Sequence, residues 1–227
     1  MELKQLWQRL RGIIIFGFFY LTTFFLMESR VVPINIIHTK FDDIIPFCEY
    51  FIIPYVLWYF YACGTILYLG LTDKTEKEYQ RFITTMMLGM IVFVLTSLIY
   101  PNGQNLRPEL IPDTFFKKAV CLLYSVDTST NILPSLHVFV SVACDIALCR
   151  DPRFKKHPSW IAASHILSIS ICLSTMFLKQ HSLIDVIAAL ICNRIFYRLV
   201  YHWDFISAKF QERTQTKKLF KIKQMER

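Results

Sequence analysis

Apolar residues run along the chain in six blocks, near residues 11–27, 50–71, 82–100, 132–149, 159–178 and 182–200, separated by polar segments. A hydrophobic run of ~20 residues spans the hydrocarbon core of a bilayer as a helix. The pattern therefore predicts an all-α, polytopic membrane protein: one six-transmembrane-helix bundle over residues 1–205 and a basic tail over 206–227. No repeat or low-complexity linker divides it. The polar segments carry their own signals. Pro54, early in the second block, predicts a kink. Phe41–Phe47 mixes apolar and acidic residues and predicts a segment lying along the interface. Asn102-Gly103 marks a turn after the third block. Inside the long 101–131 segment, the apolar stretch from Phe115 to Tyr124 predicts an interfacial or re-entrant helix. The run Asp127–Asn131 offers N-cap residues for the fourth helix.

Composition agrees with this picture. Hydrophobic residues make up 54% of 227 and mean hydropathy is +0.40, too apolar for a soluble domain of this size. The net charge of +8 could suggest nucleic acid, but its distribution argues otherwise. With the N-terminus in the cytoplasm, nineteen of the 25 Lys and Arg fall on cytoplasmic segments, among them Lys4, Arg9, Lys77, Arg81, Arg153, Lys155 and Arg198. The positive-inside rule then places both termini in the cytoplasm. The tail from Lys209 onward is expected to touch anionic lipid rather than nucleic acid. No small-residue cleavage pattern follows the first block, so a retained helix is expected. The seven cysteines form no Cys-x-x-Cys pair and read as small core residues rather than a zinc site or disulfide framework.

Candidate chemistry collects where this topology puts the outer face. Pro134-Ser135-Leu136-His137 opens the fourth block, where unpaired helix N–H groups attract anions. Arg107 lies in the outer segment before it, and Lys179 closes the fifth block. His181 and Asp185 open the sixth, four residues apart and so one helical turn from each other. Ionisable groups at membrane depth are costly and default to function. A carboxylate holding one imidazole nitrogen fixes the tautomer and raises the basicity of the other, which makes a nucleophile of His181. His137 can protonate a leaving alkoxide. Arginine, lysine, serine and helix N–H groups can neutralise a phosphoryl group without metal. The sequence carries no Asp/Glu-rich metal cluster and no phosphate-binding glycine loop, so neither metal nor cofactor is expected.

These motifs resemble those of the type 2 phosphatidic acid phosphatase family, whose histidine-phosphatase site is shared with vanadium haloperoxidases. The family pattern is Lys, six residues, Arg-Pro; then Pro-Ser-Gly-His; then Ser-Arg, five residues, His, three residues, Asp. Arg107-Pro108, Pro134-Ser135-Leu136-His137 and the trio Ser174, His181 and Asp185 match it. Tyr100, Leu136 and Thr175 stand where lysine, glycine and arginine are usual. The resemblance implies that His181 is the nucleophile, Asp185 its partner and His137 the general acid, with phosphate held by Arg107, Ser135 and the backbone around Leu136. Lys179 is a candidate replacement for a missing cation. The Leu-for-Gly change resembles the branch containing inositol phosphorylceramide and sphingomyelin synthases. The expectation is an integral membrane lipid phosphatase that hydrolyses a phosphomonoester or diphosphate lipid through a phosphohistidine intermediate at the extracytoplasmic face of what is expected to be the cell membrane. A lipid phosphotransferase is the first alternative and a catalytically silent lipid-binding or transport protein the second. Asp145, His165 and Arg194 lie at similar depth in three blocks, and an Asp145–Arg194 contact is expected to lock the fourth helix to the sixth.

Overall fold

A computed structural model describes residues 11–201, except 12, 13, 16, 20, 24, 28, 31 and 73–76. Lys4, Arg9 and the tail expected at 206–227 lie outside the described residues. The chain is mainly helical: α1 (Gly17–Met27), α2 (Lys40–Ile44), α3 (Ile52–Thr72), α4 (Lys77–Ile99), α5 (Phe115–Val126), α6 (Leu136–Arg150), α7 (Pro158–Phe177) and α8 (183–201). Three of these are long and apolar enough to cross a membrane: Glu49–Thr72, which joins a 3₁₀ turn to α3, then α4 and α7. Their apolar character continues all round, as expected of helices with lipid on one side and protein on the other. The predicted kink at Pro54 has little to act on. Pro54 is the third residue of α3, where a missing N–H would have had no intrahelical acceptor.

α6 is the hub, packing against α3, α4 and α7. Its Val138, Phe139, Ala143, Cys144 and Ala147 meet Phe82, Met86 and Met90 of α4 and Ile171 of α7 in one core. Small residues let helix backbones approach closely where lipid offers no hydrophobic drive to associate. Gly89 of α4 is the sharpest case. A Cβ there would lie 2.0 Å from the buried ring of Phe139. Gly89→Val should therefore push α4 off α6 and destabilise the protein by about 1–3 kcal/mol, read as a lower melting temperature in detergent; an unchanged melting temperature would show that the ring moves aside freely.

The end of the bundle where α4 stops and α6 starts is knitted by a small polar scaffold. Strand β1 (Asn35–Ile36) pairs in parallel with β2 (Asn102–Gly103), and Gly103 bridges to Thr130. The chains approach so closely that a Cβ on Gly103 would lie 2.8 Å from the Ser129 carbonyl. The buried Asn102 accepts hydrogen bonds from the N–H groups of Ile132 (2.9 Å) and Leu133 (3.0 Å). The expected Asn-Gly turn is thus an anchor for the loop leading into α6. The predicted helix at Phe115–Tyr124 is α5, which packs Val120 against Ile52, Tyr55 and Leu178.

Two expectations are corrected. The N-cap of α6 is Ser135, whose Oγ accepts from the Val138 N–H at 3.4 Å, and the Asp127–Asn131 run instead lines a cavity. Pro134 therefore precedes the cap and lies outside the helix. Asp145 does not meet Arg194. It accepts hydrogen bonds from Ser164 Oγ (2.6 Å) and pairs with His165 Nδ1 (2.7 Å), while Arg194 is exposed on α8. α6 packs on α7, and the donors of Ser164 and His165 there satisfy the carboxylate. Cys149 joins them, so Asp145, Cys149 and His165 bring one ligand atom each within 4.8 Å of one another. The sixteen-residue separation of Cys149 and His165 hides this group from a reading of cysteine spacing.

Candidate active site

The sequence from Phe177 to Asp185 is a helix end, a tight turn and a helix start, and the turn presents His181. α7 closes with Leu178 N–H donating to the Ser174 carbonyl at 2.9 Å. Lys179 follows in the left-handed region, φ 53°, at a position where glycine is usual. The N–H groups of Gln180 (2.9 Å) and His181 (3.0 Å) both turn back to the Thr175 carbonyl. Side chains from elsewhere hold the remaining carbonyls: the Tyr124 hydroxyl donates to Leu178 (2.7 Å) and the Gln104 amide to Lys179 (2.9 Å).

His181 lies just before α8 rather than on it. Ser182 is the cap and Asp185 the third helical residue, whose Oδ2 accepts from the Ser182 N–H at 2.9 Å. The same oxygen is 3.5 Å from His181 Nδ1, longer than a hydrogen bond, and His181 Nδ1 has no other partner. Asp185 therefore has two tasks, capping α8 and facing the imidazole, and the first fixes its position for the second.

Asp42 supports this arrangement from another part of the chain. Its buried carboxylate accepts from Ser182 Oγ (2.6 Å), the Leu183 N–H (2.8 Å), the Thr39 N–H (2.7 Å) and Thr39 Oγ (2.9 Å). Burial alone would raise its pKa; the hydrogen bonds from Ser182, Leu183 and Thr39 outweigh burial and hold it below the usual 3.8. The segment expected to lie along the interface is therefore a helix cap delivered from outside the helix.

His137 reaches the site from α6. Its ring lies 5.9 Å from that of His181, centroid to centroid, and is walled by Tyr55 (4.5 Å) and Trp58 (4.4 Å). His137 Nε2 is buried and has no hydrogen-bond partner in the structure. Both histidines line one cavity of about 40 Å³, together with Asp127, Thr128, Asn131, Leu136 and Gln180. That volume holds only a few waters, a water needing ~10–15 Å³. Tyr55, buried at the foot of the cavity wall, donates its hydroxyl to Asp127 Oδ2 at 2.6 Å.

The other expected site residues lie as follows. Ser135 is fully buried, and its N–H donates to the Asp185 carbonyl at 3.2 Å, so it ties the start of α6 to the start of α8. Leu136 lines the cavity. Arg107 stacks its guanidinium 4.5 Å from the Tyr124 ring centroid and donates to the carbonyls of Tyr124 (3.1 Å), Asp127 (2.6 Å) and Thr128 (2.8 Å) and to Gln180 Oε1. It sits behind the cavity wall and touches it through Gln180 and the carbonyls of Asp127 and Thr128. Lys179 points away: its ammonium donates to the carbonyls of Asp42 (2.6 Å) and Ile45 and lines a separate polar basin with His38, Asp43 and Asn105. The hydroxyls of Ser174 and Thr175 are spent on the carbonyls of Ile171 and Cys172.

Reading the sequence missed Tyr55, Asp127, Gln180 and Asp42. Only Asp42 left a local trace, since Thr39-x-x-Asp42 is a capping-box spacing. No family model, no curated protein and no solved structure matches the chain.

Proposed function

We propose that the protein is an integral membrane lipid phosphatase of the kind the type 2 phosphatidic acid phosphatase motifs suggest, with its site at the extracytoplasmic face of a six-span bundle. The observation that carries this reading is the convergence of His137, His181 and Asp185 on one buried cavity from α6, the 178–182 turn and α8. Asp185 on the Nδ1 side leaves Nε2 of His181 for attack on phosphorus. The P–O bond to the lipid breaks, His137 gives a proton to the departing alkoxide, and a phosphohistidine remains. Water, deprotonated by His137, then takes the phosphoryl group and frees His181. The positive-inside count and the shared outer end of these elements support the orientation.

A second reading is favoured by one specific feature. The residues lining the cavity, among those described, include Asp127 but no Lys or Arg. A phosphomonoester carries up to two negative charges and a phosphodiester one, so a cation-free seat suits the diester better. A lipid hydroxyl would then replace water, and a phosphoryl-alcohol group would pass between lipids.

Purified protein incubated with a panel of lipid phosphates and phospholipids, with and without acceptor alcohols, separates the readings. Free phosphate is the expected product of the phosphatase. A new lipid without phosphate release indicates the transferase, and no product from any substrate overturns both. The orientation has its own test. In a Cys63→Ala background, a cysteine at the exposed Asp113 should react with an impermeant maleimide added outside, and one at the exposed Lys155 only after permeabilisation. The reverse pattern would put the site in the cytoplasm.

A further inference from the structure

A phosphoryl group passing through a trigonal-bipyramidal state needs donors aimed at its equatorial oxygens. This cavity supplies them in an unusual way. The two positions where the family pattern has Lys and Arg are Tyr100 and Thr175; Tyr100 is 44% exposed, and the Thr175 hydroxyl is turned into its own helix. Lys179 is committed to the carbonyls of Asp42 and Ile45. The two terminal nitrogens of Arg107 donate to three carbonyls and Gln180.

Gln180 is different. It is 2% exposed, lines the cavity beside His137 and His181, and its Nε2 is buried with no hydrogen-bond partner in the structure. An amide's oxygen and nitrogen are assigned by their surroundings. Here the assignment is fixed by chemistry: guanidinium only donates, so the atom facing Arg107 must be the oxygen, and the N–H pair is turned the other way. The turn beneath is rigid, with both the Gln180 and His181 N–H groups on the Thr175 carbonyl. An unsatisfied buried donor is costly unless something binds to it.

We propose that the Gln180 side-chain amide is the phosphoryl-oxygen donor of this site, aimed by Arg107, so that Arg107 acts on the phosphate through Gln180 as a positioning residue. The proposal rests on the phosphohistidine reading. It also makes the donor next to the nucleophile neutral, in keeping with a cavity whose lining lacks Lys and Arg.

Gln180→Glu separates the donor role from a structural one. Glutamate keeps an oxygen acceptor for Arg107, so the clamp on the Tyr124–Thr128 carbonyls survives, but its carboxylate cannot donate to phosphate. Removing one such donor typically costs about 10²–10³ in kcat. The expected result is a loss of that size at pH 7.5 with a melting temperature close to wild type and weaker inhibition by orthovanadate, a mimic of the trigonal-bipyramidal state. At lower pH the glutamate gains a proton and can donate again, so the ratio of mutant to wild-type kcat should rise. Gln180→Met, which removes both donor and acceptor, should lose activity without that recovery.

Activity of Gln180→Glu within about threefold of wild type, with unchanged vanadate inhibition, would overturn the donor role while leaving the phosphohistidine reading standing. So would a loss of activity matched by a loss of folded protein in Gln180→Glu and full activity in Gln180→Met. A wild-type protein that turns over no phospholipid or lipid phosphate, and whose melting vanadate does not shift, would overturn the phosphohistidine reading and the donor role with it.

Discussion

His181→Ala should abolish turnover while leaving the protein folded. The two halves of that expectation have separate grounds. His181 Nδ1 makes no hydrogen bond in the structure, and the ring faces a cavity, so truncation leaves no new buried donor unpaired. Its removal nonetheless takes away the only group the mechanism uses to accept the phosphoryl, and loss of covalent catalysis commonly costs several orders of magnitude. The measurement is product release together with labelling from a radioactive lipid phosphate, quenched in alkaline detergent. Wild type should trap an acid-labile, base-stable phosphoenzyme, and His181→Ala should trap none. His137→Ala should slow both formation and hydrolysis of that species, because His137 serves the leaving group in one step and water in the other. Near-wild-type turnover by His181→Ala would end the phosphohistidine reading.

Asp42→Ala should be the most damaging substitution for stability outside the core. It removes the acceptor for Ser182 Oγ, the Leu183 N–H and two groups of Thr39 at once. Buried donors left unpaired cost ~1–3 kcal/mol each, so a total of about 3 kcal/mol or more is expected even if Thr39 finds water. Activity should fall with it, since Ser182 and Asp185 set the place of His181. The pH dependence has a definite sign. The Asp42 pKa is lower folded than unfolded, so its contribution is full above the unfolded value near 3.8 and is lost as pH falls through the lower folded value. The difference in melting temperature between wild type and Asp42→Ala should therefore be constant at neutral pH and shrink below pH 3.8. A difference that persists undiminished in acid would mean that the carboxylate's charge is not what holds α8.

A site of this kind depends on pieces that do not move relative to one another, and the structure shows how that is arranged. The loop before α6 is held by Asn102, the turn before α8 by Gln104, Tyr124 and Thr175, and the two helix starts are joined through Ser135 and Asp185. All but the Thr175 hold are hydrogen bonds between segments distant in sequence. The left-handed Lys179 is a local cost, since a side chain there is strained by roughly 1 kcal/mol or more. The contacts of its ammonium with the Asp42 and Ile45 carbonyls offset that cost and give the lysine a structural task in place of the phosphate contact expected of it.

What the sequence determined by itself was the part governed by local periodicity and short spacing. Runs of apolar residues fix helices because a backbone in lipid must satisfy its own hydrogen bonds, and α3, α4, α6, α7 and α8 fall close to the blocks read from hydropathy. His181 and Asp185 are close because they lie four positions apart, and the hydropathy pattern already put His137 at the same end of the bundle as them. What only the tertiary structure decided was which long-range donor each polar group found. Asp145 is equally able to pair with arginine or histidine, and the packing of α6 on α7 chose His165. Arg107 and Lys179 both read as phosphate ligands because a cation near a phosphate motif is the simplest partner for an anion, yet carbonyls closer in space took most of their donors. Gln180 carried no signal at all, because a glutamine beside a histidine is ordinary in sequence; its significance comes from being buried, turned by Arg107 and left with an unpaired N–H at the wall of the cavity.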